Sequence, residues 1–470
     1  MVKLILAFLC CIAWVDAHRR GPFLQFFPQV PHHNPPQNET GVPLFLTPLI
    51  TQGKIKQAQN LARVGTPMNE LVESYSGYLT VNKPSCNSNL FFWFFPAAYK
   101  PEKAPVLLWL QGGPGGSSMF GLFVEHGPFR VTRDMKLEAR DTAWSLTHNV
   151  LYIDNPVGTG FSFTGRDECY ARDQTNVADD LYEALLQFFQ LFPQYQKSDF
   201  YATGESYAGK YVPAISYKIH TANPSAKQKI NFKGMAIGDG LCDPVTMTNY
   251  GDFLFAIGLV DEEDRAYFKK VSELQVKLIE SKQWVQAFQT FDDLLNGDLS
   301  GHPSYFANAT GFNYYFNYLM TSSPPEFSYF GKFLQTTDIR KAIHVGNLTY
   351  NDGLTVEKHL MEDVMKSVKP WIEELLEHYK VIIYNGQMDV IIAWPLTESF
   401  ITSMKWKGAE EYLKSARIKW HVGNDLAGYA KQVGNFTQVL VRNAGHMIPY
   451  DQPKWAFDLI NRFTRGKSFN

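Results

Sequence analysis

The stretch Gly204-Glu205-Ser206-Tyr207-Ala208-Gly209 decides how the rest of the chain is interpreted. It follows an apolar run at residues 199–203 that predicts a short buried strand, and apolar residues recur after it at helical spacing. A strand that turns sharply into a helix around a serine is a nucleophile elbow, in which small residues at positions 204 and 208 permit the tight turn. The stretch departs from G-x-S-x-G at Ala208, and an ordinary Gly-Ser loop is the alternative. The choice between a nucleophile elbow and an ordinary loop therefore depends on whether catalytic partners of Ser206 occur elsewhere in the chain.

Length and composition set the class of protein. A chain of 470 residues, 45% hydrophobic and 15% aromatic, buries a large core in one or two domains. A net charge of -2 argues against nucleic acid as the main partner. Residues 1–17 have the layout of a secretory signal peptide cleaved after Ala17, with an apolar block too short to span a membrane. No later run is long enough either, so we expect a soluble chain that is secreted or resides in a lysosome-like acidic compartment.

Acceptor sequons and cysteines fit the secretory pathway. After the signal peptide leaves, three cysteines remain, so one disulfide at most forms within the chain, and the sequence does not say which thiol stays free. These cysteines are Cys86, Cys169 and Cys242. Glycosylation is expected at four sequons, which are Asn38, Asn308, Asn347 and Asn435.

Strand and helix patterns alternate along most of the chain. Residues 18–70 are assigned to an N-terminal arm or a pro-segment, because their first part is rich in Pro, His, Asn and Gln. Residues 71–470 are assigned to one α/β domain with a mostly parallel central sheet. Strands are predicted at 75–81, 89–95, 106–110, 150–153, 199–203, 232–237, 380–384 and 437–441.

Helices fill the intervals between the predicted strands. An amphipathic helix is expected from Asp173 or Thr175, which could cap it, to Pro193, which ends it. Between about 240 and 367 the alternation stops and helical segments follow, at 261–280 and 283–296 among others. We interpret this region as a helical cap inserted over the carboxyl edge of the sheet, where ligands bind in such folds.

Two residues fit as partners of Ser206. A serine nucleophile needs a histidine base, and the base needs an acid that fixes its tautomer; on this type of sheet they follow in the order Ser, Asp, His. Asp389 comes just after the strand at 380–384, and His446 lies in a Gly-flanked loop just after the strand at 437–441. The alternative for each is an ordinary loop residue. The order and the strand-end positions favour a catalytic triad on an α/β-hydrolase fold.

The glycine-rich segment Gln111-Gly-Gly-Pro-Gly-Gly-Ser-Ser118 follows another buried strand. Its backbone N–H groups are suited to bind the oxyanion that forms during acyl transfer. A phosphate cradle is the alternative, but no Lys-Ser/Thr ends the segment and no G-x-G-x-x-G occurs. We therefore expect neither a cofactor nor a metal.

Five motifs together resemble the serine carboxypeptidase family, and in particular its vitellogenic-like members. They are Gln111-Gly-Gly-Pro-Gly-Gly-Ser-Ser118, Tyr152-Ile-Asp-Asn-Pro-Val-Gly-Thr-Gly-Phe-Ser162, Gly204-Glu-Ser-Tyr-Ala-Gly-Lys-Tyr-Val-Pro213, Ile237-Gly-Asp-Gly240 and Gly445-His-Met-Ile-Pro449. The resemblance implies a triad of Ser206, Asp389 and His446, and an oxyanion hole made by the N–H groups of Gly113 and Tyr207.

The resemblance also implies a site for the terminal carboxylate of a peptide. It would consist of Gln111, Gly112 and Glu205, with Glu125 paired to Glu205. The family usually has Asn in place of Gln111 and Cys in place of Gly116, whereas the vitellogenic-like members share Gln and Gly, so one family disulfide is absent here.

The chemistry supports a carboxyl pair independently of the resemblance. Neither glycine-containing segment carries Arg or Lys in position to pair with a carboxylate, but a carboxyl kept protonated by a neighbouring carboxyl can donate a hydrogen bond to one. Glu205 adjoins the nucleophile, and Glu125 follows the glycine-rich segment by about the length of a helix. A surface position is the alternative for Glu125.

We therefore predict a serine-type carboxypeptidase that acts on peptides with a free C-terminus. The alternatives are a secreted esterase or acyltransferase on the same fold, or a non-catalytic storage or protective protein. The sequence leaves the oligomeric state open, a homodimer included.

Overall fold

A ten-stranded twisted sheet forms the centre of the molecule. The computed structural model describes residues 37–81, 85–297, 299 and 301–470. The strands are β1 Tyr75–Val81, β2 Ser88–Phe95, β3 Val106–Leu110, β4 Asn149–Ile153, β5 Phe200–Glu205, β6 Phe232–Gly238, β7 Lys380–Gly386, β8 Ile418–Val422, β9 Asp425–Val433 and β10 Phe436–Val441. Every residue of β2, β3, β4, β5 and β10 is buried, as expected for strands that are covered on both faces.

The sheet order is β1-β2-β4-β3-β5-β6-β7-β10-β9-β8. Six adjacent strands run parallel to one another, so their carboxyl ends meet at one edge of the sheet; in sheet order they are β4, β3, β5, β6, β7 and β10. Antiparallel pairs flank this block on both sides. Two shorter sheets pair residues 159–160 with 351–352 and residues 129–131 with 137–139.

Helices cover both faces of the sheet. They are α1 Gln37–Thr40, α2 Thr47–Thr51, α3 Ile55–Ala62, α4 Gln174–Leu191, α5 Ala208–Ala222, α6 Tyr250–Ala256, α7 Glu262–Glu280, α8 Trp284–Phe291, α9 Tyr305–Thr310, α10 Tyr329–Leu334, α11 Thr337–Ala342, α12 Leu354–Val364, α13 Lys369–Leu376, α14 Trp394–Ser403, α15 Ala409–Lys414, α16 Ile448–Asp451 and α17 Pro453–Arg465. The side chain of Asp173 accepts a 2.8 Å hydrogen bond from the N–H of Asn176 and so caps α4. Within the described part of the chain, no helix is both long and apolar enough to cross a membrane.

The segment before β1 packs on the sheet domain. Leu46, Ala58 and Met68 are fully buried, and the N–H of Leu46 donates to the carbonyl of Tyr78 on β1. This segment belongs to the region that the sequence assigns to an arm or pro-segment. The expected signal peptide and the start of the arm lie outside the described residues, and the domain boundaries stay predictions.

The region predicted as a cap consists mainly of helices α6 to α12 and their connections. The predicted strands are present within one or two residues, and the order of strands and helices is that of an α/β-hydrolase fold. The sequence analysis did not include β8 and β9, which add an antiparallel edge. The disulfide joins Cys86 to Cys169, with 5.8 Å between their Cα atoms, and Cys242 is free and buried.

Candidate active site

Ser206 lies at the turn between β5 and α5. Its φ is +63°, in the left-handed region that few residues other than glycine adopt, and its side chain is 8% exposed. Its N–H donates to the carbonyl of Gly238 and its carbonyl accepts from Leu241, each at 3.0 Å. A Cβ on Gly204 would lie 2.5 Å from the carbonyl oxygen of Leu110, so only glycine fits there. These contacts hold the turn in a strained conformation, as a nucleophile elbow requires.

His446 and Asp389 form a buried pair. Nδ1 of His446 lies 2.7 Å from Oδ2 of Asp389, and both side chains are almost completely buried. Asp389 follows β7 and His446 follows β10, so both lie at the same edge of the sheet as Ser206. Nε2 of His446 has no hydrogen-bond partner among the described residues, so the Ser206–His446 hydrogen bond expected of a triad is not made here.

The glycine-rich loop after β3 lies directly against the elbow. A Cβ on Gly112 would come within 2.6 Å of both Cβ of Ser206 and the backbone nitrogen of Tyr207. Gly113 has a φ of +124°, which side-chain-bearing residues rarely adopt. The loop therefore brings its backbone closer to the nucleophile than any other residue type would permit. The backbone N–H groups of Gly113 and Tyr207, the predicted oxyanion donors, belong to these two adjoining segments.

Asp154 holds the far end of this loop. Its carboxylate accepts hydrogen bonds from the hydroxyl of Ser117 at 2.6 Å and from the N–H of Ser118 at 3.0 Å. It also accepts from the N–H of Phe161 at 2.9 Å. Burial raises the pKa of Asp154 to about 7, although these hydrogen bonds oppose the rise.

The predicted carboxylate-binding residues form a connected cluster. Nε2 of Gln111 donates to Oε1 of Glu205 at 2.7 Å, and Oε1 of Gln111 accepts from Nε1 of Trp109 at 3.0 Å. Gln111 thus spans the distance to Glu205. Glu125 lies in a π-helical turn, Gly121–His126, and its side chain is 1% exposed, which excludes a surface position. Both of its carboxyl oxygens are buried and have no hydrogen-bond partner among the described residues, and its carboxyl interacts electrostatically with that of Glu205.

Both carboxyls of this pair are harder to ionise than usual. Burial is the main cause for each: it raises the pKa of Glu125 to about 7 and that of Glu205 well above its usual range. The charge of Glu125 and that of Asp239 further oppose ionisation of Glu205. A protonated carboxyl beside a glycine-rich loop is suited to donate a hydrogen bond to an incoming carboxylate.

One residue beside the His446–Asp389 pair and one on the helix that follows the elbow were not predicted as site residues. Asp239 follows β6 and adjoins Asp389, and Lys210 lies on α5 and donates to backbone carbonyls at the end of α12. The rule that parallel strands bring their carboxyl ends together would have found Asp239, because it follows a predicted strand. No sequence signal identifies Lys210, since its partners are backbone atoms far along the chain.

Three of the four predicted glycosylation sites lie in the described part with their side chains. Asn308 and Asn435 are exposed, and Asn347 is half-buried. The side chain of Asn38 lies outside the described residues.

Comparisons with known proteins agree on one family. The serine carboxypeptidase family model matches residues 65–466. The venom serine carboxypeptidase of Apis mellifera is 54% identical over 92% of this chain and 93% of its own length. The probable serine carboxypeptidase CPVL of Homo sapiens is 54% identical over 93% of this chain and 92% of its own length. The vitellogenic carboxypeptidase of Aedes aegypti is 44% identical over 99% of each chain.

A solved structure agrees with the fold. Kex1, a prohormone-processing carboxypeptidase of Saccharomyces cerevisiae, superposes with a TM-score of 0.75 over 87% of this chain and 96% of its own, at 24% identity. The fold is that of an α/β-hydrolase. The chain belongs to the serine carboxypeptidase family, whose members release C-terminal amino acids from peptides through an acyl-enzyme on a Ser-His-Asp triad. It is therefore a serine-type carboxypeptidase.

Proposed function

We propose that Ser206, His446 and Asp389 carry out this reaction as nucleophile, base and orienting acid. The observation that supports the assignment best is the 2.7 Å contact between His446 Nδ1 and Asp389 Oδ2, which fixes the tautomer that leaves Nε2 as a proton acceptor. The strained turn that carries Ser206 lies at the same edge of the sheet.

In this mechanism Ser206 Oγ attacks the carbonyl carbon of the last peptide bond while Nε2 of His446 takes the hydroxyl proton. The oxyanion of the tetrahedral intermediate accepts hydrogen bonds from the N–H groups of Gly113 and Tyr207. His446 then gives its proton to the leaving amine, and the C-terminal amino acid departs from an acyl-enzyme. Water, deprotonated by His446, attacks the ester and releases the shortened peptide.

We further propose that Glu205, Glu125, Gln111 and Gly112 bind the terminal carboxylate of the substrate. Two carboxyls that share a proton can donate from one of them, and Gln111 can donate from its amide. The burial of Glu125 and Glu205 supports this role, because burial keeps a proton on the pair. A substrate without a free carboxylate would lack this interaction.

The proposed setting is the secretory pathway, with the mature protein either secreted or held in an acidic compartment. The expected signal peptide at 1–17 and the exposed sequons at Asn308 and Asn435 support it. A carboxylate site that needs a proton also works best in acid.

Substitution of the nucleophile tests the proposal. Ser206→Ala should lower kcat for a blocked dipeptide by about 10⁴-fold or more and abolish labelling by an organophosphate. Ser225→Ala, at an exposed serine after α5, is the matched control and should retain both. Wild-type turnover by Ser206→Ala would refute the assignment.

A further inference from the structure

Asp239 adjoins both the backbone that contacts Ser206 and the His446–Asp389 pair. It follows β6, directly after Gly238, whose carbonyl accepts the N–H of Ser206. Its backbone has a φ of +40° and its N–H donates to the carbonyl of Tyr384 at 2.8 Å. Its side chain is completely buried, and Oδ1 accepts a 2.9 Å hydrogen bond from the N–H of Gly386. A strained, buried carboxyl at this position requires a physical reason.

Each of the two aspartates, Asp239 and Asp389, has one carboxyl oxygen without a hydrogen-bond partner among the described residues. Oδ2 of Asp389 accepts from His446, while its Oδ1 has no partner among the described residues. Oδ1 of Asp239 accepts from Gly386, while its Oδ2 is likewise without a described partner. Side-chain ligand atoms of Asp239, Asp389 and His446 lie within 4.8 Å of one another. Two ionised carboxylates have no donor to offer each other, but a single proton would satisfy both remaining oxygens.

We propose that the Asp239 carboxyl is protonated in the active enzyme and donates from Oδ2 to Oδ1 of Asp389. Asp389 is the ionised partner because it accepts from Nδ1–H of His446. Asp239 is thus a positioning residue that acts on the triad through Asp389, and the proposal rests on the triad assigned above.

The electrostatic surroundings favour a proton on Asp239. Burial raises the pKa of Asp239 well above its usual range, and the charge of Asp389 raises it further. Hydrogen bonds from Gly386 and Asn385 oppose the rise. The titratable groups that interact with Asp239 from the surrounding elements are Asp389, His446, Glu205 and Tyr384.

The hydrogen bond would have two effects on the triad. It would fix the plane of the Asp389 carboxylate, and through it the ring of His446, because each carboxylate oxygen would then have its own donor. It would also withdraw negative charge from Asp389, so loss of the hydrogen bond would increase the negative charge that His446 faces. Loss of the donor should therefore move the acid limb of the pH–rate profile.

Two substitutions at position 239 separate the protonated from the ionised form. Asparagine keeps a donor for Asp389 and an acceptor for Gly386, carries no charge at any pH and tolerates a positive φ. Alanine removes both groups. The measurement is kcat/KM between pH 4 and pH 8 for an N-blocked amino-acid ethyl ester, which has no free carboxylate and so does not depend on the Glu125–Glu205 pair.

Asp239→Asn should keep kcat/KM within about threefold of the wild type, with the acid limb unmoved. Asp239→Ala should lower kcat/KM by about tenfold or more, as expected for a lost hydrogen bond to a charged group, and move the acid limb upward by roughly half a pH unit. An acid limb that moves downward in Asp239→Asn would show that Asp239 is ionised in the wild type and would overturn the proposal. Equal loss in both variants with unmoved limbs would also overturn it, because only a structural role would remain.

Two further measurements use the unaltered protein. Neutron diffraction at acid pH should find deuterium on Oδ2 of Asp239, and its absence would refute the proposal even if the variants failed to fold.

Dialysis against EDTA should leave kcat/KM unchanged, because Asp239, Asp389 and His446 are proposed to be joined by protons and not by a metal ion. A loss of activity restored by a divalent cation would instead assign these side chains to a metal. Neither result depends on the outcome for Ser206→Ala, so failure of the triad assignment and failure of this inference are distinguishable.

Discussion

Three residues at the carboxyl ends of parallel strands around the proposed site have unusual backbone conformations. Ser206 and Asp239 have positive φ angles of +63° and +40°, and Asn443, shortly before His446, has one of +51°. Such conformations cost of order 1 kcal/mol or more each and persist only where the surroundings impose them. Here each residue follows the carboxyl end of a parallel strand, so the rigid sheet imposes the strain and the active site benefits from the fixed geometry.

Glu205→Gln tests recognition of the substrate carboxylate. In the wild type, kcat/KM for a blocked dipeptide should be highest in acid and fall as the pair loses its proton with rising pH, because both pKa values are raised. The C-terminal amide of the same dipeptide should peak nearer neutrality. Glutamine retains a donor but has no proton to lose, so the variant's profile for the free acid should shift toward neutral pH, with the amide profile nearly unchanged.

The control for this experiment is Glu102→Gln, at an exposed position, which should leave both profiles as in the wild type. Identical profiles for the acid and the amide in the wild type would mean that the Glu pair does not bind the carboxylate. The protein would then remain an acyl hydrolase whose preference for C-termini arises elsewhere.

At the scale of elements, the sequence predicted the buried strands and the loops that follow them. Runs such as 106–110 and 150–153 are apolar throughout, because both faces of the sheet are covered, and they end at Gly/Pro clusters. The proposed triad was predicted on the same basis: its members follow strands that the pattern identifies. The last two strands of the sheet, β9 and the edge strand β8, could not be predicted, because they are only partly buried and mix charged with apolar residues.

The local sequence pattern alone did not decide whether Glu125 is buried; only the family resemblance placed it beside Glu205. The spacing suggested a helix, but whether its polar residue faces solvent depends on the packing of the whole π-helical turn. Arg140 donates to the carbonyls of Phe129 and Phe123 around this turn, across 11 and 17 residues of the chain. Tertiary packing, not local pattern, sets the environment of this carboxyl.

Lys210 connects the nucleophile helix α5 to α12 of the cap region. Its buried ammonium donates to the carbonyl of Asp363, to that of Val364 at 2.9 Å and to that of Lys366 at 2.8 Å. Lys210→Met should destabilise the protein by about 3 to 5 kcal/mol, because buried carbonyls and the Asp363 carboxylate lose their cation. Urea unfolding measures the loss.

Lys218→Met is the matched control on the same helix. Lys218 pairs with Asp179 at 2.6 Å but is partly exposed, so its loss should cost no more than about 1 kcal/mol. Equal stability of the two variants would show that the end of α12 does not depend on Lys210.

At the scale of the whole molecule, buried ionisable groups make stability depend on pH. Three histidines are held neutral by burial, which lowers their pKa values, so they cost stability only below about pH 6.5, where they would be charged in the unfolded chain. They are His126, His148 and His344. Burial lowers the pKa of Lys210 to about 8, so this residue makes stability depend on pH mainly above pH 8. Between pH 6.5 and 8 the buried acids alone should dominate.

Between pH 6.5 and pH 8, the buried acids all change the free energy of unfolding in the same direction. Burial raises the pKa of Asp154 to about 7 and that of Glu357 to about 8, the latter with a contribution from the charge of Asp292. Glu205 and Asp239 are raised well above their usual range. In the unfolded chain these groups are ionised above about pH 4, so the folded state binds more protons and loses stability as pH rises toward each folded pKa.

We therefore expect the free energy of unfolding to fall between pH 6.5 and pH 8, by about 1.4 kcal/mol per pH unit for each group still protonated when folded. Urea unfolding at steps of half a pH unit measures the slope.

Glu357→Gln removes one titrating group outside the proposed active site and should reduce the total fall by about 2 kcal/mol. Glu280→Gln, at an exposed position of α7, should leave the slope unchanged. A wild type equally stable at both ends of the window would mean that these carboxyls ionise in the folded protein as they do in water. A protein whose stability and carboxylate site both need protons would work best in acid.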